Sequence, residues 1–217
     1  MNILVIDVGG TNIKLRLGGV GEIRKIPSGM ELSGQLMVDH VKQATADWAY
    51  DAVTIGYPGP VTGGMIALEP VNLGTGWLGF DFAAAIGKPV KVMNDAAMQA
   101  LGSYQGGRML FLGLGTGLGS CMILDNVIAP MELGHLPYKK GRSFEAYVGN
   151  AGMKRMGRRK WQFALIDVIA RLRAALLPEY VVLGGGNVKK LDELPPACRM
   201  GDNDNAFLGG VRLWEHV

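Results

Sequence analysis

Two glycine-rich turns, each set between strand-like runs, constrain this chain more than any other feature. The stretch "IDVGGTNIK" at 6–14 closes an apolar, β-branched run from residue 2 and leads into the alternating "NIKLRLGG". The stretch "GLGTGLGS" at 113–120 follows "RMLFLGL" and leads into "GSCMILD". Period-two alternation on both sides of a glycine turn predicts a β-hairpin, and the recurrence of strand, polar hairpin, strand is a faint internal repeat. A glycine N–H can approach a phosphate closely because no Cβ stands in the way, and hydroxyl, amide and ammonium groups add donors. The two loops together suggest one polyanion held between two lobes. Taken singly, each reads equally well as an ordinary hairpin turn. Neither has the GxxxxGK[ST] spacing of a P-loop, and neither is a dinucleotide-binding turn, since both lead into a strand instead of a helix.

Between and beyond these hairpins the pattern is mixed α/β. The run "GEIRKIPS" extends the first hairpin into a meander, and Leu36, Val38, Val41 and Trp48 permit a helix over 33–49. Then follow a strand in "DAVTIGYPG", a short helix "FDFAAAIG" closed by Gly87, a strand "PVKVM", and a helix "DAAMQALGSY" capped by Asp95. In the second half, Trp161, Leu165, Val168, Leu172 and Leu176 recur at helical spacing and read as a core face. A buried strand "EYVVLGGGN", a short helix "VKKLDEL" and a terminal helix "AFLGGVRLWEHV" complete the series, with 195–205 read as a loop.

With 217 residues and 48% hydrophobic content the chain can bury a core as one large domain or two small ones. No apolar stretch reaches the roughly 20 residues a bilayer span requires. The opening residues carry no signal-like segment, so cytoplasmic residence without a membrane partner is the expectation. Cys121 and Cys198 suggest neither a disulfide framework nor a metal knuckle, and both read as buried thiols. Net charge is only +3. The cluster "MKRMGRRKW" gathers Lys154, Arg155, Arg158, Arg159 and Lys160. It reads first as a solvated loop or helix start and second as a surface for an extended polyanion. Nucleic acid is not expected as a partner, because no nucleic-acid module accompanies the charge.

The two loops resemble the first and second phosphate motifs of the ASKHA superfamily, which includes sugar kinases, actin and Hsp70 proteins. The intervening "GYPGPV", "NLGTGWLGFDF", "VMNDAAMQALG" and "ELGH" resemble the ROK family of sugar kinases, and "VVLGGG" resembles its adenosine-side glycine strand. The motifs stand in family order from the first strand to the last helix. The resemblance implies two RNase H-like α/β lobes of the actin and hexokinase type with a cleft between them, one from 1–94 plus 205–217 and one from 95–204. It implies a kinase acting on the 6-hydroxyl of a hexose, glucose foremost, with ATP or inorganic polyphosphate as donor. Asp95 is then the general base, a role that phosphoryl transfer needs beside positioning and charge neutralisation. By the same resemblance Asn94, Asp95, Glu132, His135, Glu145 and Gly59 bind sugar. Asp7, Gly9, Gly10, Thr11, Asn12, Lys14, Gly115, Thr116, Gly117, Gly185 and Gly186 bind phosphate or nucleotide. Asp7 holds Mg²⁺, through water as hard cations commonly are held. A homodimer is implied as well.

One departure from the family matters. Members of the ROK family follow the histidine of "ELGH" with a cysteine-rich zinc motif, whereas here "LPYKKGRSFEAYVG" has no cysteine between His135 and Glu145. Structural zinc is therefore not expected, since His135 supplies one ligand of four. The missing motif and compact length are similar to the polyphosphate glucokinase branch. The basic cluster suits a polyphosphate donor and "LGGGN" suits adenosine. A DNA-binding repressor is disfavoured because the first residues open the first strand. A non-catalytic sugar or nucleotide sensor, and a kinase for another small carbohydrate or alcohol, are the alternatives.

Overall fold

The structure, a computed structural model, describes residues 1–202 and 204–215. The chain divides into two compact units, Met1–Gly102 with Asp204–Val217, and Ser103–Asn203.

The first unit is built on β1 (Ile3–Val8), β2 (Asn12–Leu17) and β3 (Ile23–Pro27), an antiparallel meander as the alternation predicts. Helix α1 (Gly34–Ala44) follows, its first turn capped by the Ser33 hydroxyl, which accepts from Leu36 N at 3.2 Å. Its buried face is Gly34, Met37, Val38 and Val41; Leu36 faces outward, and Trp48 lies beyond the helix with the Arg24 guanidinium 4.1 Å above its ring. Strand β4 (Ala52–Tyr57) pairs parallel to β1, and a short hairpin β5 (Val61–Thr62) and β6 (Met65–Ile66) follows. Helix α2 (Phe82–Ile86) starts on the Asp81 side chain and stops at Gly87, left-handed at φ 79°. Strand β7 (Val90–Asn94) pairs parallel to β4 and gives the sheet order β3-β2-β1-β4-β7. Helix α3 (Asp95–Ser103) begins at once and groups with this unit.

The second unit repeats the plan. Strands β8 (Arg108–Leu114), β9 (Leu118–Leu124) and β10 (Val127–Met131) form an antiparallel meander. Helices α4 (Phe144–Val148), α5 (Asn150–Met156) and α6 (Arg158–Leu176) follow, then β11 (Tyr180–Gly184) and β12 (Cys198–Met200), both parallel to β8. The order β10-β9-β8-β11-β12 matches the first sheet strand for strand. Each unit thus has the RNase H-like arrangement of a three-strand meander extended by two parallel strands. Helix α6 buries Trp161, Leu165, Val168 and Leu172 against its sheet, as its spacing predicts, and Trp161 Nε1 donates to the Val148 carbonyl at 2.6 Å.

Four local expectations change. The loop over 195–205 contains β12, which takes its hydrogen bonds from β11. "VKKLDEL" makes only one tight helical turn, Val188–Lys190. Cys121 is fully buried, its thiol pushed up to about 12 by burial, whereas Cys198 is half-buried, its thiol pushed up to about 11. The terminal helix is α7 (Asn205–Arg212), and residues 216 and 217 lie outside the described residues.

Helix α7 completes the first unit from the other end of the sequence. Its Gly210 lies against Val5, and the Gly210 carbonyl accepts from the buried Thr54 hydroxyl at 2.7 Å. A Cβ at Gly102 would overlap the Asn205 carbonyl, and one at Gly209 would overlap the Met98 carbonyl, so α3 and α7 cross backbone to backbone. The half-turn before α7 is pinned by Arg16, which pairs with Asp204 at 2.8 Å and lies 4.4 Å over the Phe207 ring.

Candidate active site

In open α/β sheets, ligands bind beyond the carboxyl ends of the parallel strands. In the first unit these are the ends of β1, β4 and β7. Asp7 stands next to the end of β1, in register with Lys14 on β2, and Lys14 Nζ lies 3.2 Å from its carboxylate. Gly9, Gly10 and Thr11 form the hairpin tip, and Asn12 opens β2, its carbonyl accepting from Gly9 N at 3.1 Å. Gly10, Thr11 and Asn12 are exposed, while Asp7 is buried.

Two strands away, Asn94 ends β7. Its amide donates to the Gly59 carbonyl at 3.0 Å, and its side-chain oxygen accepts from Ala97 N at 3.1 Å. The latter bond is the N-cap of α3, so the cap is Asn94 and not Asp95 as expected from the sequence. Asp95 is the first helical residue, and its Oδ1 accepts from Ala96 N at 2.7 Å. The reason is local. Asn94 still has strand geometry, as a cap residue must, and Asp95 has already turned into the helix.

A third element, the loop that carries "NLGTGWLGFDF", reaches this rim, and its anchor Glu69 escaped the sequence reading. The Glu69 carboxylate accepts from the backbone N–H groups of Gly76, Trp77 and Leu78 at 3.1–3.3 Å. Trp77 is fully buried, its indole N–H donating to the Leu32 carbonyl at 3.0 Å and its ring centroid 5.5 Å from that of Tyr57. This loop sets Asn72 beside Gly10. Nothing in the linear pattern marks Glu69, because its partners are backbone groups seven to nine residues on. Glu69→Ala is expected to cost about 1–2 kcal/mol in urea unfolding, as three amides lose their acceptor; an unchanged midpoint would show that water replaces it.

In the second unit the carboxyl ends of β8 and β11 bring together two glycine motifs some 70 positions apart. Gly184 is in register with Gly113, Asn187 N donates to the Leu114 carbonyl at 3.0 Å, and Asn187 Nδ2 reaches the Gly115 carbonyl at 3.0 Å and Asn150 Oδ1 at 2.8 Å. Gly115, Thr116 and Gly117 form the tip, and Gly185 and Gly186 lie alongside. Asn150 N donates to the Gly115 and Thr116 carbonyls at 3.1 Å. Asn150 and Asn187 thus clamp the hairpin; their role is set by strand pairing and is invisible in sequence spacing.

The "ELGH" turn docks on the same hairpin. Ser120 Oγ donates to the Met131 carbonyl at 2.7 Å and accepts from Leu133 N at 3.1 Å, while Glu145 Oε2 accepts from Leu118 N at 3.1 Å. Any side chain at Gly117 would run into the Glu145 carboxylate. Glu132 and His135 are exposed and Glu145 is half-buried. The basic cluster straddles the break between α5 and α6 at Gly157. Arg155 is committed to the Ala146 carbonyl and the Tyr147 ring, and Arg158 to Asp192 and the Lys190 carbonyl. Lys154, Arg159 and Lys160 are exposed. Among the described residues no three His, Cys, Asp or Glu side chains gather as a metal set, and no helix is long and apolar enough to cross a membrane.

A family model for the ROK family matches residues 3–157. The chain belongs to the ROK family. This ROK protein is 28% identical to the polyphosphate glucokinase of Mycobacterium tuberculosis over 223 aligned positions, 88% of this chain and 80% of that one. The inorganic polyphosphate/ATP-glucomannokinase of Arthrobacter sp. strain KM is similar at TM-score 0.81 and 26% identity, over 99% of both chains. A ROK family glucokinase from Streptomyces griseus, solved with glucose and AMPPNP, has TM-score 0.80 at 18% identity over 98% of this chain and 99% of that one, a likeness of fold. With such relatives across most of its length, the ROK protein is a phosphotransferase of the hexokinase and glucokinase type.

Proposed function

We propose that this chain transfers a phosphoryl group from ATP or inorganic polyphosphate to the 6-hydroxyl of a hexose, with glucose the first candidate. The observation that carries the reading is the junction of β7 and α3, where Asn94 is fixed by Gly59 and Ala97 and sets Asp95 at the first position of the helix. In the proposed step the Asp95 carboxylate takes the proton from the attacking hydroxyl. The new O–P bond forms as the donor's bridging O–P bond breaks, leaving ADP or a polyphosphate one unit shorter. Asn94, Gly59, Glu132, His135 and Glu145 hold the sugar hydroxyls. Gly9, Gly10, Thr11, Asn12 and Lys14 from one hairpin, and Gly115, Thr116 and Gly117 from the other, hold the transferred phosphates. Gly185 and Gly186 hold the nucleotide when it is the donor.

Asp7 fits Mg²⁺ by its chemistry: a single oxygen donor beside the phosphate loop, which a hydrated Mg²⁺ shared with phosphate needs. Bound there, Mg²⁺ would neutralise charge on the phosphates. Lys14 would exchange part of its pairing with Asp7 for a phosphate oxygen. Cytoplasmic residence and a homodimer belong to the same reading.

The test is glucose 6-phosphate formation from D-glucose and Mg²⁺ with either ATP or polyphosphate. Product with one donor names that donor. Absence of product with glucose, mannose, fructose and N-acetylated hexoses alike would overturn the reading, and stabilisation by sugar without turnover would make the protein a sensor. Within this reading Ser120→Ala is expected to raise the KM for sugar about fivefold, the equivalent of one hydrogen bond, by loosening the turn before His135. An unchanged sugar KM would deny Ser120 that role.

A further inference from the structure

The segment that joins His135 to Glu145 is a small hairpin. Pro137 and Ser143 bridge across it, Tyr138 N donates to the Arg142 carbonyl at 2.8 Å, and Phe144 N donates to the Leu136 carbonyl at 2.9 Å. Its tip turns through Lys140 and Gly141, both left-handed at φ 52° and 70°. A two-stranded hairpin this short does not hold its shape in water without outside support.

The polar support converges on one carboxylate of α6. The Tyr138 hydroxyl donates to Asp167 Oδ2 at 2.5 Å, and Lys139 Nζ reaches the same oxygen at 3.1 Å and the Tyr138 hydroxyl at 2.8 Å. Arg171 Nε approaches that oxygen at 3.2 Å. The Tyr138 ring meets Tyr147 and Phe144 edge to face, with centroids 4.9 and 5.4 Å away. Asp167 sits one residue from Val168, which is fully buried, so its backbone is fixed by the core.

These contacts are not equal. Lys139 and Arg171 are more than half exposed, and ion pairs in such settings contribute little. The Tyr138 bond is charge-assisted, half-buried and backed by two aromatic contacts. We propose that Tyr138 and Asp167 are a positioning pair, which anchors the 136–144 hairpin to α6 and thereby fixes His135 and Glu145 at its two ends. The inference rests on the assignment of those two residues to the sugar.

The acceptor is ionised across the working range, because the Tyr138 hydroxyl first, and then Lys139, hold the Asp167 carboxyl down at about 2. A carboxyl lowered on folding adds stability that is present above its ordinary value near 4 and is lost as pH falls through about 2. The anchor is therefore in place at neutral pH.

The test compares the full chain with Tyr138→Phe and Asp167→Asn, using Lys139→Ala as control. Hydrogen exchange without sugar reads the anchor directly. Amides over 136–144 are expected to exchange about tenfold faster in the first two variants and to stay near wild type in the control, with amides over 161–172 unchanged. Unchanged exchange over 136–144 in both variants overturns the proposal, and so does equal acceleration throughout the second unit. Kinetics read the consequence: sugar KM is expected to rise about tenfold with donor KM within about twofold. An active enzyme whose sugar KM stays put in both variants overturns the positioning role. A wild-type protein inactive on every hexose, with the faster exchange still seen, overturns the proposed function and leaves the anchor standing.

Discussion

Asp95→Asn is expected to leave a folded protein with kcat lowered about 10²- to 10⁴-fold, the usual contribution of a positioned acid or base in proton transfer. One structural feature favours a folded variant. The N-cap of α3 is supplied by Asn94, so exchanging a carboxylate for an amide at Asp95 does not uncap the helix, and an amide oxygen can still accept from Ala96 N. KM for sugar should change far less than kcat if, as proposed, the Asp95 carboxylate acts on the proton of the attacking hydroxyl. Steady-state rates with the preferred donor, together with a thermal melt of the variant, check both halves. Full activity in a folded variant would remove Asp95 from the chemistry. Asn94→Ala is a useful contrast: it removes the cap and the bond to Gly59 together, and should lose about 1 kcal/mol of stability as well as sugar affinity.

Gly209→Ala is expected to cost about 3 kcal/mol or more, lowering the melting temperature by about 6–12 °C for a chain of this size. The added methyl would run into the Met98 carbonyl, which belongs to the backbone of α3 and cannot rotate away. Gly19→Ala is the matched control, since a Cβ there would make only ordinary contact with Leu208, 3.6 Å away. Equal melting of the two variants would show that α3 and α7 separate at little cost.

The hairpins were legible because their signal is local: alternation on both sides of a glycine turn needs no knowledge of the rest of the chain. The same holds for α6, whose buried Trp161, Leu165, Val168 and Leu172 follow a single period. The helix read over 33–49 forms but stops at Ala44, so Trp48 lies beyond it, because its place is set by Arg24 on a strand distant in sequence. Strand β12 had no such signal. Three residues in a polar loop become a strand only because β11 offers an open edge. In the site, residue types were readable and partners were not. The link from Asn187 to Gly115, or from Ser120 to Leu133, exists only after the strands have paired. The helix cap went to Asn94 instead of Asp95 because the strand ends one residue later than the sequence suggests.

The first unit is assembled from two stretches of sequence with the whole second unit between them. During synthesis, residues 103–203 must all be made before α7 appears, a delay of about 5–20 s at ordinary translation rates. Over that interval the second unit can close on its own. The sheet of the first unit waits with Val5 uncovered and the Thr54 hydroxyl without the Gly210 carbonyl that later receives it. The helix that carries Asp95 waits too, because its backbone is seated on Asn205 and Gly209. Nascent chains should therefore acquire protease resistance in the second unit first, and the helix that carries Asp95 should be among the last parts of the molecule to become rigid.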